Sequence, residues 1–282
     1  MYPDLFGIAN STYWILVSLG IVAAAVLYRF LSTPQGLKTK SYNFYLFLGV
    51  ASIAIGFAFA AIFQGLYDLP NREGLFFGEP QGITFMGGLV GGAITFVLGA
   101  IILGKKFGVR QDFWKVVNIL SISLVAAHSL GRLGCFFAGC CYGISNERFG
   151  VTFRPHRGPV LPTNLYESLF LMLLFAVMLI IFLLPQIYGK LNKDKVDVEI
   201  IAERKESLAR HRSKLIIIYL LAYSVFRFFL EFLRGDNRGA FLFGTITPSQ
   251  IQSLIMFGIG IALLIIVHFK GIIPFQRITN NE

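Results

Sequence analysis

Apolar residues in this chain fall in long runs, and polar residues gather in the gaps between them. Seven runs are long enough to cross a hydrocarbon core about 30 Å thick. They cover residues 13–31, 42–63, 82–103, 113–137, 164–184, 215–233 and 247–269. The pattern predicts an all-α integral membrane protein with about seven transmembrane helices in one polytopic domain over residues 1–282. One polar loop stands out, at about 189–214, where mixed charges read as a solvated linker or helical hairpin. No internal repeat is evident, so an inverted-repeat transporter gains no support from sequence symmetry.

Basic residues are distributed unequally over the gaps. The stretches after the first, third, fifth and seventh runs hold 17 Lys and Arg, against six on the other side. The positive-inside rule then predicts an external N-terminus and a cytoplasmic C-terminus, with the 189–214 loop in the cytoplasm. Residues 1–12 carry no Lys or Arg, and no small-residue cleavage site follows the first run, so a cleaved signal peptide is not expected.

Composition agrees with the pattern. Of 282 residues, 55% are hydrophobic and 14% charged, and mean hydropathy is +0.68. Soluble domains average about a quarter charged residues. The formal charge of +10 does not imply a nucleic-acid partner, because the cations sit between apolar runs as topology signals do.

Two basic residues, Arg132 and Arg227, lie more than a helical turn inside apolar runs, whereas Arg29 and Lys115 stand at run ends. An arginine at mid-membrane costs about 2.5–3.5 kcal/mol on insertion scales, so each marks a candidate functional site. In the fourth run His128, Arg132 and Cys135 share one helical face. In the sixth, Arg227, Glu231 and Arg234 do the same. With both runs rising from inside to outside, the two stripes fall at one depth near the outer leaflet. Arginines that only snorkel or pair for packing are the structural alternative. After the fourth run, GRLGCFFAGCCYG (131–143) turns back, and its glycines with Arg132 suit an anionic head group, a phosphodiester above all.

Cys135, Cys140 and Cys141 admit several readings. Zinc wants four ligands, which only His128 or His156 could complete. A disulfide, an arginine-activated thiolate and simple packing are the others. No metal and no cofactor is expected from the sequence. GITFMGGLVGG opens the third run with overlapping small-xxx-small pairs, Gly87 with Gly91 and Gly88 with Gly92, which predict close helix packing. Asn164 and Tyr166 are read as polar groups at the outer interface, Tyr166 also as a ligand contact. Gln250 in TPSQ is read as facing that interface.

Taken in order, FMGGLVGG, GRLGCFFAGCCYG, LPTNLYES, FRFFLEFLRGDN and ITPSQIQSL resemble the prolipoprotein diacylglyceryl transferase family. Each motif alone is weak; five in order on seven helices carry the resemblance. It implies transfer of a diacylglyceryl group from phosphatidylglycerol to the lipobox cysteine thiol of preprolipoproteins, with glycerol phosphate released. It also implies a multi-pass protein of the bacterial cytoplasmic (inner) membrane, with its site towards the outer leaflet. Partners would be phosphatidylglycerol, lipobox peptides and membrane lipid. Arg132 matches the signature arginine, Gly143 the closing glycine, and Arg227 the arginine of the sixth-run motif, followed by Glu231 and Arg234. Tyr166 and Glu167 match a Leu-Tyr-Glu element. Phospholipid binding is thereby expected at Arg132, Gly143, Tyr166, Arg227, Glu231 and Arg234.

Four positions depart from the family pattern. Met86 stands where the family usually has His, Cys135 where it has Asn, Cys140 where it has Glu, and Leu161 where His precedes the proline. Met86, Cys135, Cys140 and Cys141 are therefore candidate thiol or substrate contacts. Methionine takes no proton, so His128 is the candidate replacement base, alongside Arg132 and Arg227 as catalytic residues. Competing readings are a related transferase with a different acceptor or a covalent cysteine step, an anionic-lipid transporter, and a thiol oxidoreductase. The first reading expects activity to survive Cys140→Ser with Cys141→Ser; the covalent and redox readings expect it to be lost.

Overall fold

The computed structural model describes residues 11–68, 85–153, 158–191, 214–235 and 246–270. Among these residues there are seven long helices: α1 (Ser11–Ser32), α2 (Thr39–Asp68), α3 (Phe85–Lys106), α4 (Phe113–Ala138), α5 (Thr163–Leu191), α6 (Leu215–Leu230) and α7 (Pro248–Lys270). All seven contain a segment long and apolar enough to cross a membrane, so the chain is an all-α, multi-pass membrane protein. Among the described residues there is no strand, only isolated antiparallel bridges. Most of the 189–214 loop lies outside the described residues.

Each apolar run became a helix, with ends shifted by a few residues. The third helix is described from Phe85, and residues 82–84 of that run lie outside the described residues. The fifth does not stop at 184 but runs through Pro185 to Leu191. Proline forfeits one backbone bond, a loss that membrane helices tolerate where neighbouring groups re-satisfy the freed carbonyl. The sixth is α-helical only to Leu230, then tightens into a 3-10 turn over Glu231–Leu233.

The chain divides into two compact units, residues 35–116 and residues 1–34 with 117–282. In the first, α2 and α3 lie backbone to backbone. A Cβ on Gly56 would sit 2.8 Å from the Gly88 carbonyl oxygen, and one on Gly92 would sit 3.1 Å from the Ser52 oxygen. The aromatic rings of Phe59 and Phe63 fill the space over Gly91 and Gly87. Without a hydrophobic drive between helices in lipid, such close van der Waals approach is what associates them. The small-residue pairs are therefore packing devices. A buried polar knot closes this unit beyond α3. Asp112 accepts from Ser41 Oγ at 2.5 Å and pairs with Lys115 Nζ at 3.0 Å, while Tyr45 hydroxyl donates to the Val109 carbonyl at 3.2 Å.

The other unit joins α1, most of α4, and α5 to α7. Gly20 brings α1 against the backbone of Ala127 on α4. Ser129 on α4 and Ser168 on α5 each donate to the other's carbonyl at 2.9 Å. Phe170 on α5 stacks on Phe226 of α6, with ring centroids 4.0 Å apart. Leu221 of α6 packs against Gly260 of α7. These contacts lock α4, α5 and α6 in register, and that register brings their few charged side chains to one point.

Candidate active site

The centre of that point is Glu167, the one acidic residue in the apolar stretch of α5 and completely buried. Its Oε1 accepts from Tyr223 hydroxyl at 2.6 Å and from Arg132 Nε at 3.1 Å. Arg227 Nε stands 3.9 Å away. Two arginines from different helices therefore share one carboxylate. Arg227 also pairs with Glu231, Nη1 to Oε2 at 2.6 Å, and donates from Nη2 to Ser249 Oγ at 3.0 Å. Breaking such a pair by removing one partner costs about 3–5 kcal/mol, because a bare charge is left behind.

His128 lies one turn before Arg132 on α4 and is held on both ring nitrogens. Nδ1 is 3.3 Å from Tyr219 hydroxyl, and Nε2 is 3.4 Å from Arg132 Nε and 3.5 Å from Tyr223 hydroxyl. Arg132 Nε can only donate, so in this arrangement Nε2 is the lone-pair nitrogen and Nδ1 carries the proton. The Arg132 side chain keeps 18% of its surface open, whereas that of Arg227 keeps 7%. Arg132 is thus the more accessible cation of the pair.

The start of α7 is built to face this cluster. Thr247 and Gln250 form a reciprocal cap: Gln250 N–H donates to Thr247 Oγ1 at 3.3 Å, and Thr247 N–H donates to Gln250 Oε1 at 3.1 Å. Pro248 occupies the first helical position, where no donor is needed. Thr247 Oγ1 donates in turn to Glu231 Oε1 at 2.9 Å. Gln250 is buried and serves the cap; it does not face the interface.

Arg234 departs from the expected stripe. The 3-10 turn ends at Leu233, and Arg234 is extended, with φ −79° and ψ 139°. It pairs with Gly143 in an antiparallel bridge and is itself buried. Gly143 is a crossing point: its N–H donates to the Leu161 carbonyl at 2.7 Å, and a Cβ there would meet the Leu233 oxygen and Leu161. Ile144 and Gly235 amides are spent on Leu233 and Tyr142 carbonyls. Two backbone bonds thus hold the turn against the segment that follows α6, and the Gly143 amide holds it to Leu161. A cavity of about 370 Å³ opens beside the crossing, between Tyr142, Ile144 and Gly235.

The turn also gathers the three cysteines. Their Sγ atoms all lie within 4.8 Å of one another, and no disulfide joins them. Gly139 and Cys141 both take left-handed φ, 71° and 60°, which folds the chain back from the end of α4. For a residue other than glycine that conformation is uncommon. The turn is pinned from α5: Thr163 Oγ1 donates to the Cys141 carbonyl at 3.0 Å and Asn164 Nδ2 to the Cys140 carbonyl at 2.7 Å. Asn164 is fully buried, not an interface group. Hydrogen bonds from Cys135 and Cys140, with the Arg234 guanidinium, hold the Cys141 thiol below the usual thiol range.

Tyr166 is half-buried on the first turn of α5, and its hydroxyl makes no hydrogen bond among the described residues. Met86 lies in the first turn of α3, in the other unit, and its side chain is outside the described set. Sequence reasoning did not anticipate Tyr219, Tyr223, Thr247 and Ser249, and it named Glu167 only through a motif. The spacing of Tyr219, Tyr223 and Arg227 at four-residue steps was a usable signal for one face. So was an acid inside an apolar run, the sign that flagged Arg132.

A family model described as prolipoprotein diacylglyceryl transferase matches residues 3–266. The chain is similar to phosphatidylglycerol–prolipoprotein diacylglyceryl transferase 2 of Clostridium perfringens, 28% identical over 278 residues that cover 95% of each chain. The enzyme of the same name from Clostridium tetani is 28% identical over 273 residues, 95% of this chain and 97% of its own. That of Enterococcus faecalis is 26% identical over 299 residues, 99% and 92% respectively. With a match running through all seven helices and through the arginine–carboxylate cluster, the chain belongs to the prolipoprotein diacylglyceryl transferase family.

Proposed function

We propose that this chain transfers the diacylglyceryl group of phosphatidylglycerol to the lipobox cysteine thiol of preprolipoproteins, forming a thioether and releasing glycerol phosphate. The reaction takes place in the bacterial cytoplasmic membrane, at the outer-leaflet ends of α4 and α6. Basic residues concentrated in the opposite loops support that orientation.

The convergence of Arg132 and Arg227 on the buried Glu167 carries the reading. A phosphodiester needs planar, permanently charged donors, and guanidinium supplies them. As the glyceryl carbon–oxygen bond breaks, negative charge grows on the departing phosphate, and preorganised cations stabilise it most where water is excluded. Glu167 holds both guanidinium groups at one point, and Arg132 keeps the larger open surface of the two. Tyr223 and Ser249 fix the geometry of the cluster. His128 accepts from Arg132 Nε and keeps that guanidinium in place.

The test uses the purified chain in phosphatidylglycerol bilayers with a lipobox peptide, read by mass spectrometry. A diacylglyceryl thioether and glycerol phosphate from the native chain, with both formed far more slowly by Arg132→Ala, is the expected result. Lipid movement between leaflets with no glycerol phosphate would favour the transporter reading instead.

A further inference from the structure

The three cysteines pair with neither carboxylate of the arginine cluster, yet the fold brings them together. We propose that Cys135, Cys140 and Cys141 form a three-thiolate site for a zinc-class soft divalent ion, whose open fourth position takes the acceptor cysteine's thiol. The inference rests on the transferase reading and names how its nucleophile is made.

Geometry supports the donor set. Tetrahedral zinc with Zn–S bonds near 2.3 Å separates its sulfurs by about 3.8 Å. The three Sγ atoms lie within 4.8 Å of one another, so closure asks for shifts of about 1 Å or less. The main chain under them is already held: Cys135 by α4, Cys140 and Cys141 by carbonyl bonds from Asn164 and Thr163. Cys140 is exposed while its two partners are half-buried. One side of the trio is therefore open to an ion and to an incoming thiol. Three protein ligands with one open position is the arrangement of a catalytic rather than a structural zinc site.

Charge supports it as well. Three thiolates around a divalent ion leave a net charge of −1, and a fourth thiolate makes it −2. The Arg234 guanidinium hydrogen-bonds Cys141, and Arg132 interacts with Cys135 and Cys141. Those cations offset the excess and tie the ion to the phosphate-binding residues. A vicinal Cys140–Cys141 disulfide is the poorer use of the trio, since adjacent cysteines close only with strain and the third sulfur is left over.

The step balances without a redox partner. The acceptor thiol binds the ion and loses its proton to water at the Cys140 side, as a coordinating thiol does. The bound sulfur attacks the glyceryl carbon that carries the phosphate ester. A C–S bond forms, the C–O bond breaks, and its electron pair leaves on glycerol phosphate. Coordination needs no general base, so His128 acts here as a positioning residue for Arg132. The expectation that Cys140→Ser with Cys141→Ser leaves transfer intact is reversed.

Cobalt(II) is the probe. The full untagged chain is purified under reductant, stripped with chelator and titrated. One Co(II) per chain with tetrahedral thiolate absorption is expected. Cys140→Ser, at an exposed position that leaves the fold undisturbed, is expected to weaken uptake at least as much as the roughly tenfold that losing an outer partner costs. A lipobox peptide is expected to strengthen the thiolate charge-transfer band, and its Cys→Ser form is not. No uptake by the reduced chain, uptake unchanged in Cys140→Ser, or a spectrum indifferent to the peptide overturns the proposal. So does full-rate thioether formation by the stripped chain, which leaves the transferase standing. A peptide-responsive site in a zinc-loaded chain that makes no thioether establishes the site and removes the transferase reading instead.

Discussion

Two buried carboxylates, one in each unit, show how differently a fold can treat the same group. Asp112 is partnered on both oxygens: one takes the hydroxyl of Ser41 on α2 and the other the Lys115 ammonium, three residues along the chain. Glu167 is crowded on one oxygen, by Tyr223, Arg132 and Arg227, while its buried Oε2 has no hydrogen-bond partner among the described residues. A carboxylate that only ties elements together has both oxygens partnered. One that organises a site spends one oxygen on cations from two helices, of which Arg132 stays the more accessible. An incompletely satisfied buried group is costly, and such groups cluster where function requires them.

Substitutions break this contrast to graded extents. Arg132→Ala should lower the rate of thioether formation by about 10²–10³, the scale of losing one preorganised donor to developing charge. Arg132→Lys should recover little of it, because an ammonium lacks the planar fork. Glu167→Gln removes the shared counter-charge and should destabilise the chain by about 3–5 kcal/mol, seen as a lower thermal midpoint in detergent. Asp112→Asn should move activity far less than Glu167→Gln at equal folded protein. If the two variants behave alike in the peptide assay, the contrast is wrong.

Smaller effects sharpen it. Tyr223→Phe leaves Glu167 Oε1 one donor short and should cost about 1–3 kcal/mol, seen in the thermal midpoint and as a slower turnover. Gly91→Val drives a side chain into Phe59 and should cost about 1–3 kcal/mol in unfolding free energy by overpacking α2 against α3. Turnover per folded molecule should change little. Ser41→Ala should cost about 1 kcal/mol in stability and leave thioether formation unchanged.

Much of this was readable in the chain. Seven apolar runs became seven helices because the lipid core demands about 20 apolar residues with every backbone group paired internally. Arg132, Arg227 and Glu231 announced themselves because charge in an apolar run is too expensive to be incidental. Tyr223 and Ser249 did not, since hydroxyls are common in membrane helices and only a partner gives one a role. Gln250 misled because a polar residue at a helix start reads equally as a surface group or a cap. Arg234 misled because α6 tightens and ends before reaching it, so helical spacing no longer applied.

By itself the sequence determined the lipid-spanning class, the number of spans and which charges must matter, since each depends on composition along a single helix and on the cost of its surroundings. Only the tertiary structure decided that two arginines from α4 and α6 meet on one glutamate of α5. It also decided that a left-handed turn at Gly139 and Cys141 closes three sulfurs into one cluster. Such meetings depend on how helices are registered against each other, and register is set by small contacts, such as the Ser129–Ser168 pair, that no one-dimensional pattern contains.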